Sequence, residues 1–319
     1  KGLWRGLGIA TFLEWTGGNA LEENVQVKVL DDGVIEVYTA VNAMGQGIAT
    51  SLAQLVVDVF GVPLSQVRIH MGDTDQSNGF GSAGSRSLFT GGSAVHVGAE
   101  KTLDKAKELA AEALEASAQD LQYADGEFLV AGTDLKISLA ALASKQPNKR
   151  IELQSTTTAN GPTWPNGCHV CEVELDPQTG SVSVVSYTSM NDVGRVINPT
   201  IVRGQLDGGA VQGIGQALLE QVVYDEETGQ LLTGSLMDYA LAHADVMPQM
   251  FSTHMDPSIP CKNNVLGVKG VGELGTIGAT PAVVNAVADA LARHGKSQLS
   301  SQLQMPLTPF RIWQLMYSA

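Results

Sequence analysis

Val265-Leu266-Gly267-Val268-Lys269-Gly270-Val271-Gly272-Glu273-Leu274-Gly275 decides between two folds for this chain. Its second half fits G-x-G-x-x-G, as do Gly79, Gly81 and Gly84. A Rossmann dinucleotide unit sets such a loop between a strand and a helix and rests a pyrophosphate on the helix amino terminus. Two features oppose it here. Glu273 would stand against the pyrophosphate, and the next strand with its terminal acidic residue is lacking, because Ala292–Pro306 is polar and poor in β-branched residues. A nicotinamide-dependent dehydrogenase is therefore the last of three functional readings. A carboxylate among glycines, with few competing charges nearby, suits general-base work, since burial disfavours its charged form and strengthens it as a base. A buried glutamate capping a helix amino terminus is the alternative, and the residues alone leave both open. Pro281 predicts a helix that starts after it, over Ala282–Arg293.

Outward from this loop, Asn198-Pro199 opens a helix expected to reach about Glu220. Gly208, Gly209, Gly213 and Gly215 lie inside it. Each glycine in a helix interior costs roughly 1 kcal/mol relative to alanine, so something must offset them. Either a neighbouring helix packs tightly there, or Gln205, Gln212 and Gln216 present amides to a polar ligand. Further upstream, Gly79-Phe80-Gly81-Ser82-Ala83-Gly84-Ser85-Arg86-Ser87 runs into a helix predicted over Ser93–Ala118. Glycines and small hydroxyl residues at a helix amino terminus let backbone N–H groups converge on an anion, and Arg86 offers a planar cation for phosphate. A flexible connection is the competing reading of that loop.

The remaining pattern is of hairpins and helices. Asn24–Val29 and Val34–Ala40 flank an Asp31-Asp32-Gly33 turn, and His169–Leu175 and Ser181–Met190 flank Asp176–Gly180. Ile48–Phe60 reads as a helix ended by Gly61, followed by a strand at Val67–His70. Residues 126–150 carry no clear pattern, and no internal repeat is visible. The expected architecture is mixed α+β in two lobes, 1–155 and 156–319.

With 44% hydrophobic and 16% charged residues the composition is that of a globular protein, and a net charge of −14 excludes a nucleic-acid or anionic-membrane surface. No apolar run reaches the roughly 18 residues a membrane span needs. The opening Lys1-Gly2-Leu3-Trp4 is no signal peptide, and a first residue other than methionine points to a piece of a longer or processed chain. Three cysteines form no disulfide framework, so reduced thiols and a cytoplasmic location are expected, a periplasmic one staying open. Cys168-His169-Val170-Cys171 lies in an alternating strand, which puts its cysteines on opposite faces and argues against a metal or redox pair.

Four segments in order carry a resemblance: Met44-Gly45-Gln46-Gly47; Gly81-Ser82-Ala83-Gly84-Ser85-Arg86-Ser87; Asn191-Asp192-Val193-Gly194 with Ile197-Asn198-Pro199 and Gly204-Gln205; and Gly270-Val271-Gly272-Glu273. With Arg5-Gly6 at the start and Pro306-Leu307-Thr308-Pro309 near the end, the chain resembles the carboxyl-terminal part of the molybdenum hydroxylases (xanthine dehydrogenase, aldehyde oxidoreductase, carbon monoxide dehydrogenase) over nearly its whole length. The resemblance implies their two-lobed molybdenum-cofactor-binding domain. It implies a molybdopterin cofactor, in its cytosine dinucleotide form, touching Gly45, Gln46, Gly47, Ser82, Ala83, Gly84, Ser85, Arg86, Ser87, Gln205 and Gly272. The molybdenum would be held through the pterin dithiolene, with no metal ligand from the protein, and Glu273 would be the catalytic base. The implied activity is hydroxylation of an aldehyde or N-heterocycle carbon with oxygen from water. Implied partners are the amino-terminal half of the molybdenum subunit, a [2Fe-2S] subunit or domain, and a FAD subunit or another acceptor, in an oligomer. On this reading the isolated chain turns over no substrate. A non-catalytic binding or assembly module keeping the same fold is the second functional reading.

Overall fold

The computed structural model describes residues 2–317. They form two compact units, neither of them a continuous segment. The first unit takes the chain up to Glu14, Trp164–Ile259, and the chain from Val271 onward; the second takes Trp15–Thr163 and Pro260–Gly270. The expected single boundary at residue 155 is thereby corrected. The opening strand belongs with the later residues, and a short late segment belongs with the earlier ones.

In chain order, β1 (Trp4–Leu13) lies in the first unit. The second unit then holds β2 (Glu22–Leu30), β3 (Ile35–Thr39), α1 (Ile48–Phe60), β4 (Val67–Met71), α2 (Ser93–Ala113), β5 (Leu121–Ala124), β6 (Glu127–Val130), β7 (Lys136–Ser138), α3 (Leu139–Ser144) and β8 (Arg150–Thr158). The first unit resumes with β9 (Asn166–Leu175), β10 (Val182–Asp192), α4 (Pro199–Leu218), β11 (Met250–Asp256), α5 (Leu274–Arg293) and α6 (Pro309–Tyr317). Both hairpins expected from the sequence are present, β2–β3 and β9–β10. The weakly patterned stretch 126–150 holds β6, β7 and α3, and β6 and β7 form a small sheet with β5 just before it.

The main sheet of the second unit has the order β4-β3-β2-β8, with β3 and β4 parallel across α1. That of the first unit has the order β1-β9-β10-β11, with β10 and β11 parallel across α4. The same plan underlies both: an antiparallel hairpin, a parallel crossover through one helix, a loop carrying G-x-G-x-x-G, and a long second helix. That helix packs on β2 and β8 in one unit and on β1 and β9 in the other. The order differs only in the edge strand, which closes the second unit as β8 and opens the first as β1. No sequence repeat betrays this, because only topology and the glycine loops are shared.

Strand alternation builds each core. Val25, Val27, Val29, Ile35 and Val37 are fully buried in the second unit, and Cys171, Val173 and Leu175 in the first. β1 fits closely under α5 because it carries glycine where a side chain would collide. A Cβ on Gly6 would lie 2.0 Å from the Ala286 carbonyl oxygen, and one on Gly8 2.0 Å from that of Ala282.

Helix α5 begins at Leu274, not after Pro281, which lies inside it. Proline removes one helical hydrogen bond and crowds the preceding turn. Pro281 is on the exposed side, while Gly275, Gly278, Ala279, Ala282 and Val283 bury the opposite face, and that packing overrides the local penalty. Among the described residues α5 alone is long and apolar enough to cross a bilayer by length and composition, and it is the central core helix of its unit. Helix α2 ends at Ala113, short of the expected Ala118, and is preceded by a π-helical turn over Ser87–Gly92. Residues 72–86 and 257–273 are turns, bends and one isolated bridge, so neither G-x-G-x-x-G loop follows directly on a strand and the Rossmann arrangement is not formed.

Candidate functional site

The second unit brings two of the expected segments together. The Met44–Gly47 turn follows β3 and leads into α1, with Gly47 as its N-cap. The Ser82–Ser87 loop leads through the π-helical turn into α2. Asn42 joins them: its N–H donates to Ser82 Oγ at 3.0 Å, and that hydroxyl donates to the Asn42 carbonyl at 3.0 Å. Ser87 Oγ donates to Ser82 Oγ at 2.8 Å. Gln46 turns its amide inward, donating to the Asn42 carbonyl at 2.8 Å and accepting from Met44 N at 2.7 Å. Its side chain therefore fixes the turn, while the backbone of Gly45 and Gly47 stays exposed.

The loop is bent by two successive left-handed residues, Gly84 (φ 53°) and Ser85 (φ 59°), which leave Ala83 and Gly84 exposed at its tip. Its other side is pinned. Gly17 N donates to the Gly84 carbonyl at 2.8 Å, and Gly270 N donates to Thr163 Oγ1 at 3.0 Å. Gly270 is the residue that approaches most closely, since a Cβ there would lie 2.6 Å from the Ser85 carbonyl oxygen and 2.9 Å from Thr16 Cβ. The first turns of α1, of the π-helical segment and of α2 contain no acidic residue. Exposed turn backbone, held in place by the Ser82 and Ser87 hydroxyls, and helix amino termini free of carboxylates form a cradle suited to an anionic, phosphate-bearing group.

Arg86 corrects the sequence reading. Its side chain is fully buried, paired with Glu23, and donates from Nε and a terminal nitrogen to the Ala20 carbonyl at 3.0 and 2.7 Å, and to the Gly81 carbonyl at 2.7 Å. The guanidinium thus ties the loop down from behind and presents no cation to a phosphate. Asn42, Ala20 and Glu23, which organise the loop, escaped sequence reading because each reaches its partner across 40 residues or more.

The first unit carries the other expected residues. Helices α4 and α5 cross through glycine: a Cβ on Gly275 would lie 2.3 Å from the Leu206 carbonyl oxygen, and one on Gly213 2.7 Å from Ala279 Cβ. Tight helix packing therefore accounts for Gly209 and Gly213, whereas Gly204 and Gly208 face open space. Gln212 donates to Glu220 at 3.1 Å and Gln216 accepts from Thr280 at 3.2 Å, while Gln205 is half-buried. Glu273 is the N-cap residue of α5, with backbone φ −111° and ψ −9°, and its side chain makes no capping bond. It is exposed, as is Gly272, so neither the buried structural cap nor the burial from which the sequence argued for a base describes it. Among the described residues no group of three or more His, Cys, Asp or Glu is placed to hold a metal ion. Cys168 and Cys171 alternate along β9; Cys171 is buried, and burial pushes its thiol up to about 12.

The sequence profile of the molybdopterin cofactor-binding domain matches residues 1–248. The nicotine 6-hydroxylase large subunit of Paenarthrobacter nicotinovorans is 36% identical over 98% of this chain and 40% of its own length. The carbon monoxide dehydrogenase large chain of Hydrogenophaga pseudoflava is 32% identical over 97% and 40%. Among solved structures, a Cu,Mo-CO dehydrogenase superposes with a TM-score of 0.85 at 29% identity, covering 100% of this chain and 42% of that one. Quinoline 2-oxidoreductase from Pseudomonas putida 86 gives 0.84 at 33% identity, covering 99% and 42%. The chain spans about two fifths of the length of these relatives. It belongs to the molybdopterin cofactor-binding domain family of molybdenum hydroxylase large subunits.

Proposed function

We propose that this chain forms part of an oxidoreductase that hydroxylates an aldehyde or N-heterocycle carbon with water-derived oxygen, and that Glu273 is its catalytic base. One observation carries the assignment of the base. Glu273 stands exposed at the head of α5, where its side chain makes no capping bond, at the position the resemblance matches to the family's base. When bound, a pterin-held molybdenum would supply the redox chemistry and activate the oxygen donor. The Glu273 carboxylate would accept the proton released as that oxygen attacks, which as general-base catalysis contributes on the order of 10²- to 10⁴-fold.

The residues of the second unit fit the cofactor's anionic end. The Gly45–Gly47 turn and the Ala83–Gly84 tip would hold its phosphates through backbone N–H donors, while Ser82 and Ser87, whose hydroxyl protons go to the Asn42 carbonyl and to Ser82 Oγ, keep those segments in place with Arg86 and Gln46. A pyrophosphate has more acceptor oxygens than a single phosphate, so a cradle with two converging segments favours a dinucleotide form, of which the resemblance implies the cytosine one. Gln205 would present its amide to the pterin. Because the relatives are large subunits of about two and a half times this length, the rest of such a subunit, iron–sulfur clusters and a flavin or other acceptor would complete the electron path.

In the assembled enzyme Glu273→Gln should retain molybdenum and pterin in wild-type amounts while turnover falls by at least about 10²-fold. Turnover at the wild-type rate would remove Glu273 from the mechanism. Wild-type assembly that contains neither molybdenum nor pterin would instead favour a non-catalytic module.

A further inference from the structure

The core of the first unit contains a fully buried chain of polar side chains that the proposed chemistry does not use. His169 on β9 sits between Tyr187 and Asn191 of β10, with Nδ1 2.6 Å from the Tyr187 hydroxyl and Nε2 3.0 Å from Asn191 Oδ1. The Asn191 amide donates onward to Ser189 Oγ at 3.1 Å and to the His254 carbonyl of β11 at 3.4 Å. Those acceptors orient the asparagine, so its oxygen must accept from Nε2–H, and Nδ1 must in turn accept from the tyrosine O–H. Burial holds the imidazole below its ordinary pKa and so in the neutral form this pattern requires.

Helix α5 rests on that imidazole. A Cβ on Gly278 would lie 2.2 Å from Nδ1 and 2.5 Å from Cγ, so only glycine lets the helix seat against the ring. The ring is also held edge-on by Phe12, and Tyr187 is stacked on Phe251. One turn earlier, Leu274 is buried with Val193, Val202 and Leu206, and Gly275 abuts the backbone of α4. Glu273 immediately precedes these contacts. An apolar side chain of similar size would fill the space under Gly278 at lower desolvation cost, but it would not be fixed in one orientation by bonds at both ends.

We infer that the Tyr187–His169–Asn191 chain is a positioning device: it fixes the seat of α5 and thereby where the Glu273 carboxylate stands. The inference rests on the assignment of Glu273 as base. Misplacing a reacting group by 1 Å can cost on the order of 10²-fold in rate, so a small shift of the helix head is enough to be read in kcat.

The test uses the assembled molybdenum enzyme carrying Tyr187→Phe, which removes one hydroxyl and keeps the ring, and separately Gly278→Ala, which pushes from the helix side. The expected result is molybdenum content as in wild type, KM within about twofold, kcat lowered about tenfold or more, and faster amide exchange in residues 274–280 with 199–218 unchanged. Wild-type kcat in both variants, alongside a Glu273→Gln enzyme without turnover, overturns the positioning role and leaves the base assignment standing. Loss of folded protein or of molybdenum in both variants makes the chain merely structural and also overturns it. If Glu273→Gln retains turnover, the base assignment fails by itself, and exchange in 274–280 then decides whether the relay seats the helix.

Discussion

The Arg86 guanidinium spends its donors on Glu23 and on the carbonyls of Ala20 and Gly81, all inside the second unit. Removing it would leave the Glu23 carboxylate buried without a counter-charge, a change that typically costs about 3–5 kcal/mol. Arg86→Ala is therefore expected to lower the unfolding free energy by that amount, read as a lower urea midpoint at unchanged m, and to release the loop that forms the proposed phosphate cradle. Arg86→Lys should rescue little, because an ammonium keeps the charge but lacks the planar fork that reaches both carbonyls. Equal stability of the lysine variant and wild type would contradict this account. The sequence marks the loop by its glycines and hydroxyls, yet gives its arginine the opposite direction. A cationic side chain in a glycine loop looks the same whether it faces solvent or core, and the partners that decide are over sixty residues away. Glu273 stands out in the sequence because its glycine loop is local, and the structure adds that it is exposed at the head of α5.

Contact between β1 and α5 is the element-scale feature that most constrains the first unit. Gly6 and Gly8 face the helix, and Asp289 of α5 accepts a hydrogen bond from the Leu7 N–H on the open edge of the sheet at 2.8 Å. A methyl group at Gly8 would meet the Ala282 carbonyl oxygen and the Ala286 nitrogen at 2.0 and 2.3 Å, both backbone atoms that cannot rotate away. Gly8→Ala is expected to cost about 3 kcal/mol, at the upper end of ordinary overpacking, and to show as a lower thermal midpoint. A thermally unchanged variant would mean that the helix lifts off the strand freely. The same glycines explain why β1 was not read as a strand, since they replace the β-branched residues that usually announce one. Proline misled in the same way at the other partner: Pro281 gives a strong local stop signal, and only burial of the opposite face, invisible in a local window, carries α5 through it.

At the scale of the whole molecule, the chain builds one plan twice and interleaves the two copies in sequence. Each hairpin, crossover and glycine loop was readable singly, but their assignment to units was not, because a strand's partner is set by register and packing over long separations. β1 pairs with β9 through ten residues, Trp4↔Leu175 to Leu13↔Asn166, across more than 150 positions of sequence. This makes a definite prediction about division of the chain. A protein of residues 164–319 lacks β1, so β9 loses one of its two antiparallel partners and becomes an open edge, and the Ala282 and Ala286 face of α5 loses the glycine strand that covers it. Such a piece should be aggregated or without cooperative unfolding, and a synthetic peptide of residues 2–14 supplied during refolding should restore a sharp transition. Residues 15–163 keep both of their sheets and lack only the Pro260–Gly270 segment, so they should fold, with faster amide exchange confined to the Ser82–Ser87 loop that Gly270 normally backs. Circular dichroism and exchange measurements on the two pieces decide the matter. A monomeric, cooperatively folded 164–319 would show that β1 is dispensable and that the cut near residue 155 had been the better division.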